Sequence, residues 1–350
     1  MFTVGICSSD RREYLAQALE SVLVQSYTGP IEIVVSDDSS TTFDPKEVLR
    51  AFAKHFASRN TRLRLVVPKN ESASEAEPAP IGKQGEAAMR NQIIINSTMP
   101  YIVWLDDDDR LLDETLAIYA KGIEEVENCE VLYGNLIRTD LNFKPTAKYK
   151  YRDVPKVLLP SSLLLGSIIP NGGTCIKRTV FEKIGLYDTS FSTATDYQFW
   201  ARAALSKINF KYLDSDIYLY RSHENNAALD KEDDNFFDTN GRVCELILRN
   251  LPPHHLFPFF EWKNDKLLAD FQVTLSVLAL AKRNRREVLV TNCLRELNQN
   301  ESFAKFLEED DLQAIFANLK ENLTLTFEQT SKCLANIVEA GQKKLKPKKE

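Results

Sequence analysis

The chain has 350 residues, 43% hydrophobic and 27% charged, proportions that suit a globular protein of one large domain or two modest ones. With 44 basic against 50 acidic residues, the formal net charge of −6 argues against a chain built to coat nucleic acid. Six cysteines (Cys7, Cys129, Cys175, Cys244, Cys293, Cys333) without CxxC spacing suggest neither a zinc site nor a disulfide framework, so a reducing cytoplasm is the expected compartment.

The chain enters an apolar, strand-like run at residues 2–7, with no basic and apolar leader of the secretory kind. An amphipathic stretch at 13–25 and a second strand-like run at 31–36 follow, which reads as a βαβ unit. A helical pattern at 45–57 and a strand at 63–67 continue the alternation and predict a largely parallel sheet flanked by helices, with a ligand site at the carboxyl ends of the strands. Residues 68–85 lose periodicity and read as a surface loop. Order returns with a helix at 86–95, an apolar strand at 101–105, a helix at 113–126 and a strand at 130–133. Patterned segments at 175–184, 197–204 and 217–220 complete the alternating part. Beyond about residue 235 the spacing is helical, at 267–281, 288–297 and 312–323. The predicted division is therefore an α/β domain over 1–234 and a helical region with a lysine-rich tail over 235–350. No run reaches the roughly 18 apolar residues of a membrane-spanning helix, so any membrane contact is expected to be peripheral.

Asp106, Asp107, Asp108 and Asp109 follow the apolar run directly and would ride it to the rim of the sheet. Adjacent carboxylates raise one another's pKa unless a cation or donors compensate. A divalent ion with a preference for oxygen, Mg²⁺ or Mn²⁺, is the natural counterpart, and such ions bind through one or two carboxylates while substrate phosphates fill other positions. A solvated acidic turn capping the helix near Asp113 is the plainer reading. Asp37 and Asp38 repeat the arrangement at the end of the second strand, where they could accept from a base N–H and ribose hydroxyls or could form an Asx turn.

These residues resemble the inverting glycosyltransferases of family 2, with their Rossmann-like GT-A fold, over roughly the first two thirds of the chain. The opening at 4–15, with Asp10, Arg11, Tyr14 and Leu15, and SVLVQSY at 21–27 are similar to the family's first strand and helix. The resemblance places Asp37 and Asp38 on the family's Asp-Asp-Ser motif, against uracil and ribose, and Arg90 with Asn91 on the segment that approaches the nucleotide. WLDDDD at 104–109 matches the DxD strand end, so Asp106 and Asp108 become the DxD pair and Asp108 the foremost metal ligand. By the same resemblance Cys7, Ser8, Asp107 and Gly173 belong to the donor-binding set. Gly173 lies in Asn171-Gly172-Gly173, similar to the small-residue segment beneath donor and acceptor, although a tight turn explains the glycines equally well. FEKIGLYD at 181–188 continues the match, and Thr195-Asp196-Tyr197 falls where the family has Glu-Asp-Tyr, with Thr195 replacing the glutamate. Asp196 is then the base that takes the acceptor's proton, or simply the N-cap of the helix that follows. His223, in Tyr-Arg-Ser-His at 220–223, is similar to a histidine that completes the metal site or contacts the diphosphate.

The implied activity is transfer of a hexose or N-acetylhexosamine from a UDP-sugar to a carbohydrate or lipid-linked glycan, with Mn²⁺ or Mg²⁺, in bacterial surface polysaccharide or glycoconjugate synthesis. A nucleotidyltransferase would need a glycine-rich basic loop that residues 5–9 do not supply. A non-catalytic nucleotide-sugar or carbohydrate-binding protein stands as the alternative from another class. The helical region could serve acceptor binding or homo-oligomerisation. The lysines between 343 and 349 could hold the chain at the inner, anionic face of a membrane or simply be a solvated tail.

Overall fold

The protein is described by a computed structural model covering residues 1–59, 61–66, 85–223, 234–307 and 310–345. The chain forms two compact units, Met1–Lys156 with Ile168–Asp230, and Val157–Ser167 with Lys231–Glu350. The expected loop at 68–85 lies, apart from Gly85, outside the described residues.

In the first unit the order is β1 (Phe2–Ser8), α1 (Arg12–Leu23), β2 (Ile31–Asp37), α2 (Pro45–Ser58), β3 (Thr61–Val66), α3 (Glu86–Asn96), β4 (Tyr101–Asp106), β5 (Arg110–Leu111), α4 (Thr115–Glu125), β6 (Val131–Thr139) and β7 (Pro145–Tyr149). After the excursion into the second unit, which carries α5 (Leu159–Leu163), the first resumes with β8 (Cys175–Lys177), α6 (Arg178–Ile184), α7 (Thr195–Leu205) and β9 (Phe210–Arg221). All seven residues of β1 are buried, as are all seven of β2, which is why both read as continuous apolar runs rather than alternating ones. Helix α1 turns Leu15, Ala18, Leu19 and Val22 inward at helical spacing, and α2 starts where Asp44 accepts from Lys46 N at 2.9 Å with Pro45 in its first turn.

The sheet runs β3-β2-β1-β4-β8-β6-β9-β5, with β7 paired to β6. Strands β3, β2, β1 and β4 are mutually parallel, as expected, and so are β6 and β9. The rest is not: β8 is antiparallel to β4 and β6, β7 to β6, and β5 to β9. The reversal at β7 is local, because Asp140 accepts from Asn142 N and Lys144 N, each at 2.9 Å, and closes a tight turn where a parallel pairing would need a long crossover. Strand β7 is exposed along its whole length, so no burial pattern marks it in the sequence. Strands β6 and β9 also extend well past the apolar cores at 130–133 and 217–220, carrying polar residues that find partners across the ladder, such as Asn135, which accepts from Tyr212 Oη at 2.8 Å.

The second unit is helical, as the spacing predicts: α8 (Asp234–Asn250), α9 (Pro253–Leu256), α10 (Lys266–Arg283), α11 (Glu287–Gln299), a single 3-10 turn, α12 (Ala304–Leu307), α13 (Asp310–Glu321) and α14 (Phe327–Leu345). Helix α10 begins where Asp265 accepts from Leu268 N at 2.9 Å and buries Leu268, Phe271, Leu275 and Leu278. At its far end Arg283 donates to Leu165 O at 2.7 Å and Leu164 O at 3.0 Å, capping α5. Segment 157–167 therefore packs with helices far along the chain, whereas the sequence places it inside a continuous 1–234 domain.

Candidate active site

The order β2-β1-β4 makes β1 the strand from which the chain departs in both directions, and in such sheets the crevice at the carboxyl ends takes the ligand. Register brings the right residues there: Ser8 lies opposite Asp37 and Cys7 opposite Asp106. Cys7 is buried and burial pushes its thiol well up, so it is a neutral wall. The loops after β1 and β2 are knitted together. Asp37 accepts from Ser40 N at 2.9 Å and from Ser40 Oγ at 2.5 Å, Asp10 accepts from Thr41 N at 2.6 Å and Thr42 N at 2.9 Å, and Asp38 accepts from Gly85 N at 3.0 Å while its own N–H donates to Ser8 O at 2.9 Å. Asp37 thus forms the Asx-type turn that the sequence allows.

The four aspartates after β4 sit in different surroundings. Arg11, at the start of α1, donates to Asp107 Oδ1 at 3.1 Å and Asp108 Oδ2 at 2.5 Å, and the same Asp108 oxygen meets His223 Nε2 at 2.9 Å. Asp109 is buried and accepts from Arg221 N at 2.7 Å, a contact that fixes the turn to the end of β9. Tyr218 on β9 accepts from Asp106 N at 3.0 Å. Burial pushes the Asp106 carboxyl up to about 7; Arg90 opposes this, and Glu86, Asp108 and Asp107 add to it. Asp107 is pushed up to about 7 by burial and by Asp108, with Arg11 and the Ser8 hydroxyl pulling the other way. Asp109 is raised well above the carboxylate range by burial, then by Asp108 and Asp106. Such a cluster is short of positive charge, and its hard oxygen donors with one imidazole suit Mg²⁺ or Mn²⁺. Among the described residues no group of three His, Cys, Asp or Glu side chains is gathered closely enough to hold an ion unaided. Asp106, Asp108 and His223 are oxygen and nitrogen donors of a kind that could hold such an ion together with other ligands.

Arg90 connects this cluster to Asp196. It is 2% exposed on α3, pairs with Glu86 one turn earlier, lies 3.5 Å from Asp106 Oδ1 and donates to Thr195 Oγ1 at 3.4 Å. Asp196, next to Thr195 in the first turn of α7, is half-buried, and burial raises its pKa against the pull of Arg90. Gly172 and Gly173 lie against the Tyr218 ring: a Cβ on either would come within 2.7 to 2.9 Å of ring atoms, and Gly173 has φ +76°. The Gly173 N–H donates to Trp104 O at 2.8 Å, which ties the segment to β4.

The structure thus gathers Cys7, Ser8, Asp37, Asp38, Arg90, Asp106, Asp107, Asp108, Gly173, Asp196 and His223 around one set of strand ends. Three contributors escape the sequence reading as site residues. Arg11 carries only a family likeness there, Glu86 only a helix start, and Tyr218 only a strand pattern.

A β2-β1-β4 switch point, a carboxylate run on β4 and a half-buried aspartate on α7 thus belong to one α/β unit. Residues 3–76 match the family model described as glycosyl transferase family 2. An uncharacterised glycosyltransferase of Methanocaldococcus jannaschii is 23% identical over 219 residues, 61% of this chain and 67% of the relative. One of Rickettsia felis is 33% identical over 116 residues, which span 33% of this chain and only 16% of that protein. Among solved structures, S. aureus TarS 1-349 aligns over 99% of this chain and 93% of its own, with TM-score 0.54 and 16% identity. Its complex with UDP-GlcNAc aligns over 98% and 91%, with TM-score 0.55 and 16% identity. These structural likenesses bear on the fold.

Proposed function

We propose that the chain is an inverting glycosyltransferase that moves a hexose or N-acetylhexosamine from a UDP-sugar to an acceptor hydroxyl in surface polysaccharide or glycoconjugate synthesis. One observation carries the reading. The acidic strand end around Asp106 and Asp108, with His223 at 2.9 Å from Asp108, is distinct from a second carboxylate, Asp196, whose burial makes it a better base than an exposed aspartate. The TarS complex with UDP-GlcNAc, on the same fold, supports a UDP-sugar as donor.

In this reading Asp37 and Asp38 take the nucleoside, and Cys7, Ser8, Asp107 and Gly173 line the donor. Asp196 accepts the acceptor's hydroxyl proton as that oxygen forms its bond to the anomeric carbon, while the bond from that carbon to the diphosphate oxygen breaks on the opposite face. The electron pair leaves with UDP, so no acid is required at the leaving group. A divalent ion held by Asp106, Asp108 and His223 would supply the charge that the departing diphosphate needs.

The test is a donor screen that measures nucleotide diphosphate release with Mn²⁺ and varied acceptors, paired with Asp196→Ala. Retained UDP binding with transfer lost supports the enzyme. Absence of transfer by the wild type with every nucleotide sugar would favour the non-catalytic binding protein.

A further inference from the structure

The terminal nitrogens of the Arg90 guanidinium are committed, while its buried Nε has no hydrogen-bond partner among the described residues. Its terminal nitrogens meet Glu86, Asp106 Oδ1 at 3.5 Å and Thr195 Oγ1 at 3.4 Å, and both also reach the Asn171 amide oxygen once that amide is turned to present it. Two aromatic rings enclose it, with the guanidinium carbon 5.7 Å from the centroid of Trp104 and 5.5 Å from that of Tyr187. The backbone of Tyr187 is itself anchored by the neighbour of Arg90. Asn91 Nδ2 donates to Tyr187 O and Tyr187 N donates to Asn91 Oδ1, each at 2.9 Å. Five segments therefore converge on one buried side chain: the start of α3, the end of β4, the residues just before Gly172, the stretch after α6 that carries Tyr187, and the start of α7.

We infer that Arg90 is a positioning residue that holds the Asp106 strand end and the Asp196-bearing start of α7 in one frame, rather than a group that touches the donor. The inference rests on the glycosyltransferase reading for its consequence in transfer, but not for its geometry. A planar fork suits the task, because one guanidinium can hold several acceptors in fixed directions where an ammonium cannot. Thr195 gives this chain a hydroxyl acceptor for Arg90, while Glu86 brings a carboxylate to the same guanidinium from α3.

Three variants of the full chain test it. Thr195→Val cuts only the α7 arm; UDP affinity with Mn²⁺, by calorimetry, and donor KM should stay within about threefold of wild type, while kcat falls about 10–100-fold as the base loses its alignment. Thr195→Ser restores the hydroxyl and should recover most of that loss. Arg90→Lys should leave UDP affinity within about threefold and speed amide exchange at both 171–174 and 195–198. Wild-type kcat in Thr195→Val would overturn the inference, as would loss of UDP affinity in Arg90→Lys with exchange at both segments unchanged. If the wild type transfers nothing, the glycosyltransferase reading fails, and the exchange and UDP measurements still decide whether Arg90 is a tie or a donor contact.

Discussion

Asp196 differs from the aspartates after β4 in what surrounds it. Burial raises its pKa, Arg90 opposes that rise and Glu86 adds to it, whereas Asp106 faces further like charge from Asp108 and Asp107. A general base works only when ionised, so a raised pKa means that activity is lost as pH falls through a value above the ordinary carboxylate range, and is complete above it. A pH profile of kcat/KM, which reports the free enzyme, should therefore show its acid limb displaced upward, and Asp196→Asn should remove transfer while UDP still binds. An acid limb at or below about 4, the value of an unperturbed aspartate, would contradict this. For Asp108 the expected defect is in binding. Its Oδ2 is shared by Arg11 and His223, so a cation placed there competes with an existing ion pair and gains only if diphosphate arrives with it. Excess chelator should abolish transfer, and Asp108→Ala should weaken Mn²⁺ and UDP binding together by about tenfold or more, the scale of one lost charged partner. Full activity in chelator would defeat the metal assignment. The acids after β2 and β4 and His223 stand out in the sequence because each sits in a local motif at a strand end, whereas Asp196 stands out at the start of a helix. The contacts that give them their character were not, since Arg11 reaches Asp107 across 96 positions and His223 reaches Asp108 across 115.

Among the elements, legibility followed burial pattern. Strands β1, β2 and β4 are covered on both faces and read as apolar runs, and the long helices read from their spacing. Strand β7 has no buried residue and leaves no periodic trace, and β8, three residues within the patterned segment 175–184, is too short to reveal its direction, so the antiparallel part of the sheet was hidden with them. The Asn171–Gly173 segment shows the same limit. Its glycines suggest a turn or a ligand approach, while the structure shows Tyr218 packed where side chains would go. Gly173→Ala should then cost stability twice, once through its left-handed backbone and once through the clash with the ring, about 2–5 kcal/mol in all. Thermal unfolding should fall by roughly 5 °C or more. The same variant should weaken donor binding less than Asp108→Ala does, because Gly173 lies beneath the cluster and presents no charge to the ligand. An unchanged melting temperature would mean that Tyr218 moves aside without cost.

At the scale of the molecule the question is how an acidic protein reaches its acceptor. No helix among the described residues is long and apolar enough to cross a membrane. The chain is acidic overall, with net charge −6, yet Lys346, Lys348 and Lys349 cluster beyond the last described residue, Leu345. Lys343, within α14, pairs with Asp311 at 3.1 Å and Glu339 at 3.4 Å. Three lysines near anionic headgroups, at about 1 kcal/mol each, give about 3 kcal/mol, or two orders of magnitude in partitioning at low salt. Screening at physiological ionic strength, where the Debye length is about 8 Å, removes much of it. The full chain should therefore co-sediment weakly with phosphatidylserine vesicles at low salt and lose most of that association at physiological salt. A truncation ending at Leu345 leaves the Lys343 ion pairs intact and should not bind in either condition. Equal partitioning of the two forms would take the tail out of acceptor delivery and shift attention to the helical unit itself.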